Sequence, residues 1–254
     1  MTASMPDQEA YREQYERLWR DLWANCHAGG PMARTRYRLA KRWLALRPQS
    51  SQRMLDVGAG NGAFMLEAVR RSPKLDIYGA EYSQAAIDLA SPGLRERLAR
   101  CDLQGDQPLP WGGGFQVITC MEVLEHLPDD ELALAHIARA LAPGGQLFVS
   151  VPAWPKKWGP QDVAAGHVRR YEPQVLGERL TRAGLRVRRL KCWGGPLAWT
   201  YLGAADLIGP EKVMSVRPSG FAGFAAATIY QLLKIDDALS FGGGQQLLAL
   251  AERS

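Results

Sequence analysis

The sequence has few cysteines, and their spacing indicates no shared site. Its 254 residues include four cysteines, and no two of them form a C-x-x-C pair. We therefore expect neither a disulfide framework nor a cysteine zinc site. The sequence also lacks a signal-peptide hydrophobic region and any apolar run of membrane-spanning length. These absences predict a cytoplasmic protein with no stable membrane insertion.

Basic residues outnumber acidic residues only slightly. The chain carries 31 basic and 26 acidic residues, a formal net charge of +5. The basic residues cluster in two short segments, 167–170 and 186–191. The second segment alternates with apolar residues, which is typical of a half-buried strand with a solvated face. A nucleic-acid-binding protein is expected to have a broader basic surface, so no nucleic acid is an expected partner.

A glycine-rich turn between an apolar strand and a helix is the most informative segment. Residues 54–57 are apolar apart from Asp56, and residues 63–71 show helical spacing of apolar side chains. Such a turn brings backbone close to a ligand at the helix N-terminus. Two classes of ligand fit this turn. The turn satisfies the dinucleotide-binding pattern G-x-G-x-x-A. S-adenosylmethionine also fits, because its ammonium group can pair with the carboxylate of Asp56. The glycines of the turn are Gly58, Gly60 and Gly62.

Two further acidic residues follow the next two predicted strands. Glu81 comes after the strand predicted over residues 75–80, where a carboxylate can accept hydrogen bonds from both ribose hydroxyls. The alternative for Glu81 is a helix cap or a solvated side chain. Asp102 follows the third predicted strand and could accept a hydrogen bond from an adenine amino group. The alternative for Asp102 is an ordinary turn aspartate.

In these motifs the chain resembles the class I S-adenosylmethionine-dependent methyltransferases. The order and spacing match that family from residue 53 to about residue 152. The matching segments are 55–62, 79–83, 101–103, 109–111, 115–120, 121–127 and 141–147. One departure is Gln116, which stands where family members usually have aspartate.

The resemblance implies a fold and a set of donor-binding residues. The fold is α/β, with a Rossmann-like seven-stranded sheet, mostly parallel with an antiparallel last strand, flanked by helices. Asp56 and Gly58 would lie near the methionine end of the donor, Glu81 on the ribose and Asp102 near the adenine. The candidate donor-binding residues are Asp56, Gly58, Gly60, Gly62, Glu81, Tyr82, Asp102, Leu103 and Met121.

Two carboxylates and an imidazole follow the fourth predicted strand: Glu122, Glu125 and His126. If a helix begins after Met121, these three side chains share one face and could bind a divalent cation such as Mg²⁺. The same Glu-x-x-Glu-His pattern is similar to the metal site of the ubiquinone-pathway and small-RNA 2′-O-methyltransferases. The alternative is that the glutamates tether loops and that His126 acts as a general base without a metal.

A second polar segment, residues 162–171, follows the fifth predicted strand. Some small-molecule methyltransferases have a similar Gly-His-x-Arg-Arg-Tyr segment there, so it is expected to border the acceptor. His167 could be a base or a fourth metal ligand, and two arginines could hold an acidic acceptor. The alternative is a structural loop. The candidate substrate-binding residues are Tyr15, Trp19, Trp154, Arg169, Arg170, Tyr171 and Trp199.

Four regions organise the chain. Residues 1–51 are predicted as an N-terminal helical cap, and residues 52–193 as the donor-binding core. Residues 194–243 are an apolar helical insertion, expected to form a lid or a homodimer contact, and residues 244–254 return as the final strand. Within the core, a helix is predicted over about residues 173–183 and a strand over 185–191.

These observations predict an enzyme that transfers a methyl group from S-adenosylmethionine to a small organic molecule by SN2 displacement. A hydroxyl or carboxylate oxygen is the favoured acceptor, with nitrogen or carbon as alternatives. Two other classes stay open: an NAD-dependent dehydrogenase, and a non-catalytic scaffold. The scaffold is disfavoured because it would not need the acidic and glycine residues of the turn.

Overall fold

The computed structural model describes residues 8–217, 219–238 and 243–254. Seven strands form one sheet: β1 Arg53–Val57, β2 Asp76–Glu81, β3 Leu98–Arg100, β4 Phe115–Met121, β5 Leu141–Pro152, β6 Leu185–Trp193 and β7 Gln246–Arg253. Their order across the sheet is β3-β2-β1-β4-β5-β7-β6. Strands β1 to β5 pair in parallel, and β7 runs antiparallel to both β5 and β6. The predicted mostly parallel sheet with an antiparallel last strand is confirmed.

Helices cover both faces of this sheet. They are α1 Gln8–Leu18, α2 Ala24–Gly29, α3 Pro31–Trp43, α4 Ala63–Arg71, α5 Gln84–Asp88, α6 Pro92–Arg95, α7 Asp130–Ala140, α8 Pro160–Ala165, α9 Pro173–Arg182, α10 Pro196–Ile208, α11 Pro210–Ser215 and α12 Gly220–Ala238. A π-helical turn, Trp19–Trp23, joins α1 to α2. Two 3₁₀ turns, Leu124–His126 and Pro155–Lys157, follow β4 and β5.

The central strands are buried on both faces, which explains their nearly continuous apolar sequence. In β1, Met54 packs into the core beneath α3 and α4, whereas Leu55 packs into the core beneath α7 and α9. Both side chains are fully buried. Asp56 follows them and is 2% exposed. Burial of this carboxylate at the carboxyl end of the sheet marks the edge at which parallel α/β sheets bind ligands.

The basic segment 186–191 forms strand β6, and its charges are used within the fold. Arg186 and Arg188 both form ion pairs with Glu252 of the neighbouring strand β7. The guanidinium of Arg189 lies 4.0 Å from the ring centroid of Trp43. Cross-strand pairing and stacking on an aromatic ring therefore account for much of this cluster.

The insertion between β6 and β7 is helical, and it is anchored at one end. The carboxylate of Asp236 in α12 accepts a hydrogen bond of 2.7 Å from the backbone N–H of Ala198, near the start of α10. Helix α12 also packs along α3. Among the described residues, no helix has the length and apolarity needed to cross a membrane. Residues 218 and 239–242 of the predicted insertion lie outside the described residues.

Glu16 attaches the N-terminal helical segment to the sheet. Its carboxylate accepts hydrogen bonds from the hydroxyl of Ser83 at 2.8 Å and from the backbone N–H groups of Gln84 and Ala85. Although partial burial raises the pKa of Glu16, these hydrogen bonds outweigh that effect and lower it. The carboxylate thus binds the N-terminus of α5, and α1 is held across the end of β2. Residues 1–7 of the predicted cap lie outside the described residues.

A glycine in β2 provides a test of the packing near the turn. A Cβ atom at Gly79 would lie 2.4 Å from a methyl carbon of Leu98 and 2.8 Å from the Cβ atom of Ala59. We expect Gly79→Ala to lower the free energy of unfolding by about 1–3 kcal/mol, measured by urea denaturation.

Gly177→Ala is the matched control for this substitution. Gly177 lies inside α9, and a Cβ atom there would meet no heavy atom within 4 Å. We expect this variant to gain up to about 1 kcal/mol, because alanine favours the helix over glycine. Equal stability of Gly79→Ala and the unmodified protein would contradict the packing described here.

Candidate active site

The glycine turn between β1 and α4 is packed too closely to admit side chains. Gly60 has a φ of +56°, and a Cβ atom there would lie 2.2 Å from Cη2 of Trp19. The N–H of Gly60 donates a hydrogen bond of 2.7 Å to the carboxylate of Glu81. Trp19 is 3% exposed, so the N-terminal segment covers the turn directly. The glycine is required both for the left-handed backbone and for this contact.

Two buried carboxylates flank the turn. Asp56 accepts a hydrogen bond of 2.6 Å from Thr119, and Glu81 accepts hydrogen bonds from the N–H groups of Gly60 and Ser83. Burial raises the pKa of Asp56 to about 7, although the hydrogen bond from Thr119 opposes the rise. Burial likewise raises the pKa of Glu81 to about 7, although hydrogen bonds from the backbone oppose the rise. Both groups would gain from a ligand that supplies positive charge or hydroxyl donors.

The first cavity lies over the ends of β1, β2 and β3 and has a volume of about 160 Å³. Its wall includes Glu81, Tyr82, Asp102 and Leu103, with Tyr15 contributed by α1. Asp102 also accepts a hydrogen bond of 2.9 Å from the N–H of Gln104, which is the turn arrangement considered as its alternative role. The cavity thus brings together candidate donor-binding residues from the ends of three strands.

The second cavity adjoins the first and has a volume of about 180 Å³. Five residues line both cavities: Tyr15, Gly58, Glu81, Val123 and His126. Trp19 and Trp23 add aromatic walls to the second cavity, and Leu202 and Met214 of the insertion close one side. A ligand in the first cavity would therefore meet a ligand in the second near Gly58 and His126.

Two histidines from different segments meet in the second cavity. His126 follows β4, His167 follows α8, and their ring centroids are 4.8 Å apart. Nδ1 of His167 lies 2.8 Å from Oδ1 of Asp162, so Nδ1 is assigned as the donor and Nε2 as the acceptor. Arg170 donates to both oxygens of Asp162. Although burial raises the pKa of Asp162, the hydrogen bonds from His167 and Arg170 outweigh it and lower the pKa.

His126 differs from His167 in its surroundings. Burial, with a smaller contribution from His167, lowers the pKa of His126 to about 3, so its imidazole is neutral at physiological pH. Tyr15 and Trp23 contact the His126 ring edge-on, with centroid separations of 5.9 and 5.7 Å. His126 is therefore a neutral, aromatically packed group, and it is a weak base.

The helix that would align Glu122, Glu125 and His126 does not form. Glu122 has a φ of +57°, and only a short 3₁₀ turn follows it. The carboxylate of Glu122 turns to Ser150 and Gln246, from which it accepts hydrogen bonds of 2.8 and 2.7 Å. The expected common face is therefore wrong, because the left-handed backbone at Glu122 prevents an α-helix from starting there.

A different triad of potential metal ligands occurs in the described part of the chain. Glu125, His126 and His167 each offer one ligand atom, and these atoms lie within 4.8 Å of one another. Glu125 is fully buried, and neither of its oxygens accepts a hydrogen bond from a described residue. Burial, together with Glu122, raises the pKa of Glu125 well above its usual range.

Three predicted substrate-binding residues line the second cavity: Tyr15, Trp19 and Arg170. Two others have structural partners elsewhere. Tyr171 is 1% exposed, and its hydroxyl donates to the carbonyl of Leu124 and to Asp130. Arg169 pairs with Asp130 at 3.2 Å and donates to the carbonyl of Pro128. Neither lines the two cavities, because both hold the loop in place.

The two remaining tryptophans also lie away from these cavities. Trp154 packs against the core beneath α7 and α9. Trp199 is 40% exposed, and the ammonium of Lys157 lies 4.8 Å from its ring centroid. Neither tryptophan lines the two cavities, so the structure does not place them with the other predicted substrate-binding residues.

Asp162 and Trp23 line the second cavity but were not among the predicted site residues. Asp162 orients His167 from five positions earlier in the chain, and the acidic residue before the Gly-His pair was an available signal. Trp23 lies in the predicted N-terminal helical cap, where no site residue was predicted at its position. Its place beside His126 depends on the π-helical turn, which changes the face on which residues after Leu18 project.

Comparison with known proteins shows which family this chain is similar to. A family model described as "Methyltransferase domain" matches residues 31–190. The ubiquinone biosynthesis O-methyltransferase of Thiobacillus denitrificans is 34% identical over 117 residues, which cover 44% of this chain and 50% of that protein. The match therefore takes in about half the length of this curated relative.

Two solved structures share the fold at low sequence identity. The [4+2]-cyclase SpnF superposes with a TM-score of 0.66 at 20% identity, covering 99% of this chain and 97% of that one. Geranyl diphosphate C-methyltransferase from Streptomyces coelicolor, in complex with Mg²⁺, geranyl diphosphate and S-adenosyl-L-homocysteine, superposes with a TM-score of 0.64 at 15% identity, covering 100% of each chain. These likenesses establish the fold.

The two raised carboxyl pKa values predict a pH dependence of ligand binding. Asp56 and Glu81 both have a pKa of about 7 and lose a proton as the pH rises through that value. A ligand ammonium and ribose hydroxyls favour the ionised carboxylates, so binding lowers both pKa values and releases protons. We expect the affinity for S-adenosylhomocysteine to fall up to about tenfold per group from about pH 8 to about pH 6.

Calorimetric titration in buffers of different ionisation enthalpy measures both the affinity and the released protons. Asp56→Asn should weaken binding at the higher pH and remove its share of the pH dependence. Thr119→Val, which leaves the carboxylate in place, serves as the comparison. Binding that is independent of pH and releases no protons would contradict the assignment of these two groups.

Proposed function

The chain belongs to the class I S-adenosylmethionine-dependent methyltransferase family, and we propose that it transfers the donor's methyl group to a hydroxyl oxygen of a small organic acceptor. One observation carries the choice of a hydroxyl. The Asp162–His167 pair, with its 2.8 Å hydrogen bond, lies in the cavity beside the glycine turn. A carboxylate-oriented imidazole is a group that removes a proton from a hydroxyl as the oxygen attacks.

The donor would occupy the first cavity. Glu81 is the proposed acceptor of hydrogen bonds from the ribose hydroxyls, and Asp102 and Leu103 would border the adenine. The ends of β1, β2 and β3 position these residues, and Tyr15 closes the cavity from α1. S-adenosylmethionine, when bound, supplies the activated methyl group. The residues around it align the methyl carbon with the second cavity and exclude water.

The proposed reaction is a single displacement. The acceptor oxygen forms a bond to the methyl carbon, the carbon–sulfur bond breaks, and its electron pair stays on sulfur. The hydroxyl proton passes to Nε2 of His167. The resulting imidazolium is stabilised by Asp162, which already accepts a hydrogen bond from Nδ1. Arg170 holds Asp162 in position through two hydrogen bonds of 2.8 and 2.9 Å.

His167 is the proposed base, and His126 is a positioning residue. With its pKa lowered to about 3 by burial, His126 accepts a proton poorly at neutral pH. Its ring lies 4.8 Å from that of His167 and against two aromatic side chains. His126 would therefore set the angle of His167 and form part of the wall between donor and acceptor.

A phenolic hydroxyl fits these features well. A phenol ionises near pH 10, closer to the range of an imidazole than an aliphatic alcohol does. Trp19, Trp23 and Tyr15 offer aromatic surfaces in a cavity of about 180 Å³. The name of the Thiobacillus relative, an O-methyltransferase of ubiquinone biosynthesis, supports an oxygen acceptor. A carboxylate acceptor would need no base, and nitrogen or carbon acceptors remain the alternatives.

The base assignment is tested by paired variants. His167→Gln should lower kcat by about 10²- to 10⁴-fold, because the proton acceptor is lost. Asp162→Asn should also lower kcat, whereas both variants should bind S-adenosylhomocysteine within about twofold of the unmodified protein. Methyl transfer is measured with matched phenol and aniline acceptors, and the exposed Glu172→Gln is the control.

Raising the pH should partly rescue His167→Gln with the phenol, since a growing fraction of the acceptor ionises without help. No such rescue is expected for Glu172→Gln, which keeps the base. Full activity of His167→Gln, or transfer to the aniline alone, would contradict a hydroxyl acceptor served by His167.

A divalent cation is the second candidate for the same cavity. The buried carboxylate of Glu125 favours it, because this carboxylate accepts no hydrogen bond from a described residue and lies 3.9 Å from Nε2 of His167. The available donors are one carboxylate and two imidazoles, from Glu125, His126 and His167. Mg²⁺ prefers oxygen ligands, so this donor set does not fit Mg²⁺ well. Imidazole suits zinc, iron or nickel, and the carboxylate of Asp162 behind His167 resembles the support that metal-bound histidines receive.

Removal of metal separates the two candidates. If His167 acts as a base, we expect turnover to survive dialysis against a chelator, with less than about twofold change, and the purified protein to hold no stoichiometric metal by mass spectrometry. Glu125→Gln is the companion variant, and it should keep most activity. Loss of turnover that returns when zinc, iron or nickel is added would assign Glu125, His126 and His167 as ligands instead.

The insertion is proposed as the lid of the acceptor cavity. Leu202 of α10 and Met214 of α11 reach the cavity wall. The outer surface of the same insertion exposes large apolar side chains, among them Leu207 at 91% and Phe221 at 86%. A homodimer contact through this surface stays a proposal, supported by that exposure.

A further inference from the structure

Helix α12 is apolar on its outer side as well as on the side that faces the core. Residues 220–233 include no charged side chain. On the inner side the helix packs along α3, where Leu233 is buried. Large apolar side chains on one stripe of the outer side are exposed: Phe221, Phe224, Leu232 and Ile235. A helix that is apolar all round normally has neighbours on every side, and this stripe has none among the described residues.

Helix α10 extends the exposed apolar stripe of α12. The two helices pack against each other, and α10 exposes Trp199, Leu207 and Ile208. We call these three side chains, together with the four of α12, the outer face of the insertion. Exposed apolar residues that gather on neighbouring helices mark an interaction surface.

Basic side chains lie along the edges of the outer face. Lys212 and Arg217 are exposed in the segment that connects α10 to α12. Along α12, the ammonium of Lys234 and the guanidinium of Arg34 lie 4.7 and 4.3 Å from the ring centroid of Tyr230. An apolar surface with a cationic edge is complementary to an anionic lipid surface.

The acidic residues of the insertion are mostly turned inward or paired. The carboxylate of Asp236 accepts hydrogen bonds from the start of α10, and Asp237 pairs with Arg38 at 3.1 Å. Asp206 is partly buried, which leaves Glu211 as the exposed acid among the described residues of the insertion. A second copy related by a two-fold axis would bring one cationic edge against the other, so the charges disfavour a dimer through this face.

We propose that the outer face docks this protein on the surface of a bilayer that contains anionic phospholipid. The apolar side chains would enter the boundary between headgroups and acyl chains, and the cations would pair with lipid phosphates. Trp158 and Trp199 are both exposed, and indole rings favour this boundary. Leu202 and Met214 of the same insertion line the second cavity, so docking would bring the cavity wall to the membrane surface. The contact is interfacial and does not cross the bilayer.

Co-sedimentation with vesicles tests this docking. One set of vesicles contains phosphatidylcholine and phosphatidylglycerol in equal amounts, and the other contains phosphatidylcholine alone. We expect the unmodified protein to bind the anionic vesicles at least about tenfold more strongly, and less so at high salt. The double variant Phe221→Ser, Phe224→Ser should bind the anionic vesicles at least about tenfold more weakly, because two aromatic rings no longer enter the lipid.

A second double variant removes charge alone. Lys212→Gln with Arg217→Gln should weaken binding to anionic vesicles by about 5- to 30-fold and leave binding to neutral vesicles unchanged. The matched control is Arg71→Gln with Lys74→Gln, which removes two exposed cations at the turn between α4 and β2. Leu89→Ser, at an exposed leucine after α5, is the control for loss of an apolar side chain. Neither control should change vesicle binding.

Two further measurements complete the test. Both insertion variants should keep methyl transfer to a water-soluble phenol within about twofold, because the outer face lies outside the cavities. Light scattering reports the oligomeric state. Absence of vesicle binding, or equal binding by Phe221→Ser, Phe224→Ser and the unmodified protein, would overturn the proposal. A dimer that the same variant dissociates would assign the face to a second copy and would also overturn it.

Discussion

The contact between Trp19 and the bare backbone of Gly60 is the constraint on which the site depends. A side chain at Gly60 would occupy the space of the indole ring, so Trp19 can cover the turn only when this position is glycine. Glu16 fastens the same segment to the start of α5. Because both attachments lie at the carboxyl end of β1 and β2, the segment becomes a wall of the cavities and not a separate domain.

The site also contains several buried charged side chains. Asp56, Glu81 and Glu125 are carboxylates at most 2% exposed, and Arg36 is a nearly buried guanidinium. Each is costly in the folded protein without a partner, and that cost is offset when a ligand supplies one. The raised pKa values of the carboxylates have the same origin. Buried, weakly paired charges lower the stability of a fold, and such a loss of stability is common at active sites.

Prediction succeeded where a pattern was local and failed where the backbone departed from a regular period. The helix expected over residues 63–71 is α4, and the strand–turn–helix unit around it is as anticipated. The shared face of Glu122 and Glu125 was wrong because Glu122 adopts a left-handed φ that no residue pattern announced. Trp23, which was not predicted as a site residue, lies in a π-helical turn and lines the second cavity. Tyr171, which was predicted to bind substrate, is instead held in the core by a hydrogen bond to the carbonyl of Leu124.

The sheet class, the glycine turn and the acids that end the first strands could be read from the order of residues, because hydrophobic period, glycine placement and strand-end chemistry are properties of neighbouring residues. Which distant groups meet depends on how the chain folds. Asp162, His167 and His126 converge because β4 and β5 are neighbours whose carboxyl ends share one edge. Arg36 reaches the glycine turn because α3 packs across the sheet, a placement that depends on burial over the whole chain and has no short motif to reveal it.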